Sequence, residues 1–175
     1  GDDHLLALLD DREALRALPE GTLGRAYLAF VESEKVTPAG IVDASERGMS
    51  ERAQTPAFAY VHQRMRDTHD LWHAATGYKG DVVGEAGLLA FYLAQNWNAG
   101  VALIVAAALW KGRDAGTSAV IADGYRRGRA AAWLPAQEWE ALLALPLTEV
   151  RRRLQLGDAP VYTEVRAAEY RAAAA

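Results

Sequence analysis

From Ala86 to Trp110 the chain carries no charged residue. A helix on a globular surface needs a polar face, so this run is either a deeply buried helix or pair of helices, or a membrane span. Gln95, Asn96 and Asn98 favour burial, because three amides near a bilayer centre would each need a partner. Asn98-Ala99-Gly100 marks a kink or break. The expectation is a helix, or a pair of helices, buried in a protein core.

The rest of the chain reads as helices too. Leu5, Leu6, Leu8, Leu9, Ala14, Leu15 and Leu18 recur at helical spacing, and Pro19-Glu20-Gly21-Thr22 closes that first helix with turn chemistry. Thr22 can cap a second helix whose apolar stripe is Leu23, Tyr27, Leu28, Phe30 and Val31. Residues 36–57, with Pro38, Gly40, Gly48 and Pro56, read as the main loop. A helix then runs from Pro56 through Phe58, Tyr60, Val61, Met65 and His69 to about Ala75. Gly77 and Gly80 break it, and Asp81 is the N-cap of the next.

After Lys111-Gly112-Arg113-Asp114 a helix is expected from Ala115 to Ala132, with Val120, Ile121 and Tyr125 toward the core. Arg126, Arg127 and Arg129 read as a solvated face of it. Trp133-Leu134-Pro135 interrupts, Ala136–Leu145 and Leu147–Leu156 form two short helices around Pro146, and Gly157 is a stop. With no strand pattern and no repeat, the expected fold is all-α: a single helical domain over residues 1–157 and a C-terminal tail over 158–175.

His69 and His73 stand four residues apart, which places both imidazoles on one face of a helix. Asp70 points about a quarter-turn away; it can orient an imidazole, or become a ligand if the helix is distorted. Glu85 follows His73 by twelve residues, roughly 18 Å along a straight helix, so it reaches the histidines only if the chain turns back at Gly77 and Gly80. Two histidines and a carboxylate leave open coordination positions, which suits zinc with a bound water or Fe(II) with room for dioxygen and substrate. The pattern differs from His-Glu-x-x-His, since Asp70 replaces the glutamate that serves metalloproteases as general base. Tyr78, Lys79, Gln95 and Asn96 are candidate polar groups nearby.

Composition narrows the alternatives. The absence of cysteine excludes disulfides and thiolate metal sites and suits a cytoplasmic setting, as does a start, Gly1-Asp2-Asp3-His4, without the pattern of a secretory signal. A net charge of -4 gives no basic footprint for nucleic acid, so no nucleic-acid partner is expected. The uncharged run can line an apolar cavity as readily as fill a core. Trp97, Trp110 and Trp133 suit a membrane interface as well as a core.

His69-Asp70-x-x-His73, followed after eleven residues by Glu85, resembles the signature of the ubiquinone biosynthesis proteins of the coenzyme Q four type. Leu18-Pro19-Glu20-Gly21-Thr22-Leu23-Gly24-Arg25-Ala26-Tyr27 is similar to the amino-terminal segment of that family, as are Phe58-Ala59-Tyr60-Val61 and the region from Trp139 to Leu156. The resemblance covers roughly residues 5–157. It implies a helical fold with a lipid-accepting cavity, and a divalent metal, zinc or iron(II), at His69, Asp70, His73 and Glu85. The activity it implies is oxidative decarboxylation of a prenylated hydroxybenzoate, the ring carboxyl being replaced by hydroxyl. The alternative it carries is a non-catalytic, prenyl-lipid-binding scaffold of a ubiquinone biosynthetic complex. Partners on this reading are a prenylated aromatic or isoprenoid lipid, the membrane surface, other ubiquinone biosynthesis proteins and a second copy of the chain as a homodimer. The corresponding location is peripheral to the inner face of the membrane, which in a eukaryote is the matrix side of the mitochondrial inner membrane.

Overall fold

Most of the apolar spacing of the sequence becomes helix in the described part of a computed structural model, residues 2–33, 68–111 and 115–166. Nine α-helices and one 3-10 turn account for the regular structure among those residues, and none of them is in a strand. The helices are α1 (Asp2–Asp10), α2 (Arg12–Ala17), α3 (Leu23–Ser33), α4 (His69–Thr76), α5 (Val82–Gln95), α6 (Ala99–Lys111), α7 (Ala115–Ala130), α8 (Trp139–Leu142) and α9 (Leu147–Arg153), with the 3-10 turn at Leu134–Ala136. The expected loop over 36–57 and the expected helix from Pro56 through Met65 lie outside the described residues.

Two compact units organise these elements. In the unit formed by described residues 2–33, 68–77 and 132–158, α3 packs on α4, and α9 contacts both. Its core is Leu5, Leu9, Leu15, Leu23, Leu28, Leu71, Trp72, Leu134, Trp139, Val150 and Leu156. The amino-terminal segment that carries the family resemblance is tied to the α8–α9 region by backbone hydrogen bonds from Leu23 N to Leu145 O (3.0 Å), Gly24 N to Leu143 O (2.8 Å) and Leu147 N to Gly21 O (2.8 Å). Thr22 precedes α3 and accepts from Arg25 N at 3.4 Å, as a capping residue does.

Two sequence expectations change in this unit. The first predicted helix is two, because the Asp11 carboxylate accepts from Ala14 N at 2.9 Å and caps α2 in the middle of the apolar pattern. The predicted Ala136–Leu145 helix shrinks to the single turn of α8, and α9 stops at Arg153; beyond it Gln155 and Gly157 take positive φ of 56° and 71°.

In the unit formed by described residues 78–111, 115–131 and 159–166, α5 lies against α7. Small residues permit a very close approach: a Cβ on Gly124 would stand 2.1 Å from the Gly87 carbonyl oxygen, and one on Gly128 2.4 Å from that of Phe91. Of the two forms expected for the uncharged run, one helix or a pair, the structure has the pair, broken at Asn96–Asn98, with Asn98 Oδ1 accepting from Val101 N at 3.1 Å at the start of α6. Burial is uneven, however. Ala86, Ala90, Val101, Val105 and Ile121 form one cluster, whereas Leu103 (72 % exposed) and Trp110 (68 %) face outward on α6 and Trp97 (77 %) precedes it. The expectation of deep burial therefore holds for α5 and for one face of α6 only. No helix among the described residues is long and apolar enough to cross a membrane.

On α7, Val120 and Ile121 are buried as expected, but Tyr125 is exposed. Arg127, expected on a solvated face, is buried: its guanidinium lies 5.0 Å from the Tyr78 ring centroid and 3.8 Å from Asp123.

Candidate metal centre

Local sequence fixes the two histidines. Trp72 N donates to Thr68 O at 2.9 Å, closing the first turn of α4, and Gly77 ends the helix with φ 86° while its N–H donates to His73 O at 2.8 Å. Only glycine adopts that left-handed conformation at little cost, so the chain reverses there immediately after the second histidine. The imidazoles of His69 and His73 lie edge to face with centroids 4.7 Å apart, and His73 is buried under a stacked Phe30 at 4.8 Å. Arg151 Nε donates to Ala75 O at 2.8 Å, satisfying one of the last carbonyls of α4.

Asp70 sits beside His69, its Oδ1 3.3 Å from Nδ1. Its charge also reaches Tyr27, whose phenol is pushed up to about 12 by burial first and by Asp70 and Asp10 after it. Tyr27, read from sequence only as part of an apolar stripe, therefore keeps its proton beside a carboxylate across the neutral range.

Glu85 is placed by a second cap. Asp81 begins α5, its Oδ1 accepting from Val83 N at 3.0 Å, and Glu85 N donates to Asp81 O at 2.8 Å, so Glu85 is one turn into the returning helix as the spacing predicts. Its side chain is buried, at 6 % exposure. His69, His73 and Glu85 each offer a ligand atom, and these atoms lie within 4.8 Å of one another. Two imidazole nitrogens and a carboxylate oxygen at that spacing are a donor set that can hold a divalent ion, and they fit zinc or iron(II) equally. Asp70 is not one of the three.

The other polar candidates have structural partners. Tyr78 donates to Asp123 Oδ2 at 2.9 Å, Lys79 pairs with Glu164, Gln95 Nε2 donates to Gly128 O at 3.2 Å, and Asn96 Nδ2 donates to Tyr92 OH at 3.4 Å. Sequence reasoning missed Tyr162, which donates to Asp81 Oδ2 at 3.0 Å from within the predicted tail. No motif announces it.

Fold and site together define an all-helical protein with, among the described residues, a group of two histidines and a glutamate that could hold a metal ion. Residues 7–160 match the family described as "Coenzyme Q (ubiquinone) biosynthesis protein Coq4", and the chain belongs to that family. It is 32% identical over 155 residues to the mitochondrial ubiquinone biosynthesis protein coq4 of Aspergillus terreus, a match covering 87% of this chain and 52% of the relative. It is 39% identical over 85 residues to the mitochondrial COQ4 homolog of Danio rerio, covering 49% of this chain and 29% of that protein. The chain thus spans about half the length of the Aspergillus terreus relative. The crystal structure of a protein from Nostoc punctiforme that is named for ubiquinone biosynthesis superposes with a TM-score of 0.64 at 26% identity, covering 85% of this chain and 69% of that one.

Proposed function

We propose that this chain acts in ubiquinone biosynthesis as a metal-dependent enzyme that replaces the ring carboxyl of a prenylated hydroxybenzoate with hydroxyl. The observation that carries the reading is that ligand atoms of His69, His73 and Glu85 lie within 4.8 Å of one another in a member of the Coq4 family. When bound there, zinc or iron(II) supplies Lewis acidity or a site for dioxygen. The replacement removes two electrons from the aromatic acid and releases carbon dioxide; with dioxygen as the two-electron oxidant and water as co-reactant, the balance closes on the phenol, carbon dioxide and hydrogen peroxide.

The chain's own residues have distinct tasks on this reading. His69, His73 and Glu85 bind the ion. Asp70 joins them as a further ligand, or accepts from His69 Nδ1 and so leaves the lone pair of Nε2 for the ion. The Phe30 ring against His73 excludes water from one side of the group. An apolar cavity beside the ion would take the prenyl tail. The chain would work peripherally at the inner face of a membrane, on the matrix side in a mitochondrion, with other ubiquinone biosynthesis proteins and as a homodimer; the two curated relatives above are named mitochondrial.

Metal-loaded full chain in air should convert a prenylated hydroxybenzoate to the decarboxylated, hydroxylated product, and His73→Ala should abolish it. Unchanged product formation in that variant removes His73 from the assignment. A second reading, a prenyl-lipid-binding scaffold, is favoured by the outward apolar face of α6, with Leu103 and Trp110 exposed. It predicts lipid copurification and full pathway support by Glu85→Gln in a host lacking its own Coq4 protein.

A further inference from the structure

The first turn of α5 fixes where the Glu85 backbone stands, and an uncapped first turn frays because its N–H groups have no partner inside the helix. Here those groups are held from outside the helix. Val82 N donates to Val165 O at 3.0 Å and Val83 N to Asp81 Oδ1 at 3.0 Å. The Asp81 carboxylate, buried at 2 % exposure, also accepts from Val165 N at 3.0 Å and from Tyr162 OH at 3.0 Å. The Tyr162 oxygen in turn accepts from Lys79 N at 2.8 Å, and Lys79 Nζ pairs with Glu164. Residues 162–165 therefore bind both the loop that enters α5 and the cap that starts it.

Gly84 lies directly beneath this crossing. A Cβ there would stand 2.1 Å from Lys79 O and 2.3 Å from Tyr162 OH, so the contact exists only because the residue before Glu85 has no side chain. Tyr162, Glu164 and Val165 lie past residue 160, where the family match ends. Burial pushes the Tyr162 phenol up and keeps it a donor to Asp81 at neutral pH.

We propose that the 162–165 segment is a clamp that positions Glu85 for the metal, with Tyr162 and Asp81 as its positioning residues. This rests on the reading of His69, His73 and Glu85 as the metal-binding group. Neither Tyr162 nor Asp81 would touch the ion; they hold the turn that presents the carboxylate. Groups behind the ligands of a metal site are typically worth about 10–100-fold in affinity, and one step further back about tenfold is expected.

The test is titration of the metal-free full chain with Co(II), followed by the visible d–d spectrum, in wild type, Tyr162→Phe, Val165→Pro and Glu85→Gln, with Tyr125→Phe as an exposed phenol control. Val165→Pro removes the N–H to Asp81 without altering Tyr162, so it serves if Tyr162→Phe fails to fold. The expected result is about tenfold weaker cobalt binding in both clamp variants, with spectra at saturation shifted toward that of Glu85→Gln, and no change in Tyr125→Phe. Clamp variants that bind like wild type, or that bind more weakly with an unchanged spectrum, overturn the clamp while leaving the three-residue group intact. A wild-type chain that takes up no cobalt, or whose uptake is untouched by Glu85→Gln, overturns the metal reading and the clamp with it. Amide exchange in the wild type gives a check independent of any variant. Val82 and Val83 should be protected, and exchange at the rate of an open chain overturns the clamp.

Discussion

The α5–α7 contact makes a quantitative prediction for Gly124→Ala. The added Cβ would fall 2.1 Å from the Gly87 carbonyl oxygen, and ordinary contact begins at 3.4 Å, so the neighbour must retreat by about 1.3 Å, the difference of the two. That neighbour is backbone and cannot rotate away, so the helices must separate along a stretch that includes Gly128 over the Phe91 carbonyl. Overpacking of this kind costs about 1–3 kcal/mol, and alanine's better helix propensity returns about 0.5–1 kcal/mol. The net loss centres near about 1.3 kcal/mol, the midpoints of the two ranges differenced, and should lower Tm by about 3–5 °C in a chain of this size. Gly100→Ala is the matched control, because its Cβ would meet only the tip of Asn98 at 3.2 Å, and it should stay within about 0.5 kcal/mol of wild type. Thermal and urea unfolding of both variants decide the matter. Gly124→Ala as stable as wild type, or no less stable than Gly100→Ala, refutes the close packing of α5 on α7.

Three further outcomes are expected. Arg151→Ala removes the charged donor to Ala75 O at the end of α4 and should cost about 1–2 kcal/mol in urea unfolding, with unperturbed stability refuting the cap. Tyr27 and Tyr78 are each pushed up to about 12, chiefly by burial, so the folded chain holds protons that the unfolded chain releases above about pH 10. Their contribution is intact below that point and lost as pH rises from 10 to 12, and Tyr78→Phe should flatten the fall in a pH series of unfolding curves. Leu103 and Trp110 are exposed on α6, so Leu103→Asp and Trp110→Asp should leave Tm unchanged while reducing flotation with anionic liposomes. Equal flotation of variant and wild type removes α6 as the contact.

Local patterns were legible where one interaction outweighs its rivals. The His69-x-x-x-His73 spacing, a glycine stop at Gly77 and an Asp81 cap determine the helix, the reversal and the position of Glu85, and all three are read within a single turn of chain. Asp11 shows the limit of periodicity: its carboxylate competes for Ala14 N inside an apolar repeat that by itself predicts one continuous helix. Arg127 shows another, since three arginines in four positions look solvated until Tyr78 and Asp123 bury one of them. Absence of charge likewise said nothing about which face of α6 is covered, because alanine and leucine are compatible with either side.

The clamp was the least legible part, for a reason rooted in sequence distance. Tyr162 and Asp81 are 81 positions apart, and neither tyrosine in an extended segment nor aspartate at a helix start signals a long-range partner. What sequence does supply is Gly84, a poor helix former placed inside the first turn where a better one costs nothing locally. Such a residue is explained by something approaching the backbone closely, here the Lys79 carbonyl and the Tyr162 hydroxyl. Glycine within an N-terminal turn that carries a candidate ligand is thus the trace of the proposed clamp in the sequence, and Gly84→Ala should weaken metal binding as Tyr162→Phe does because both release the same crossing.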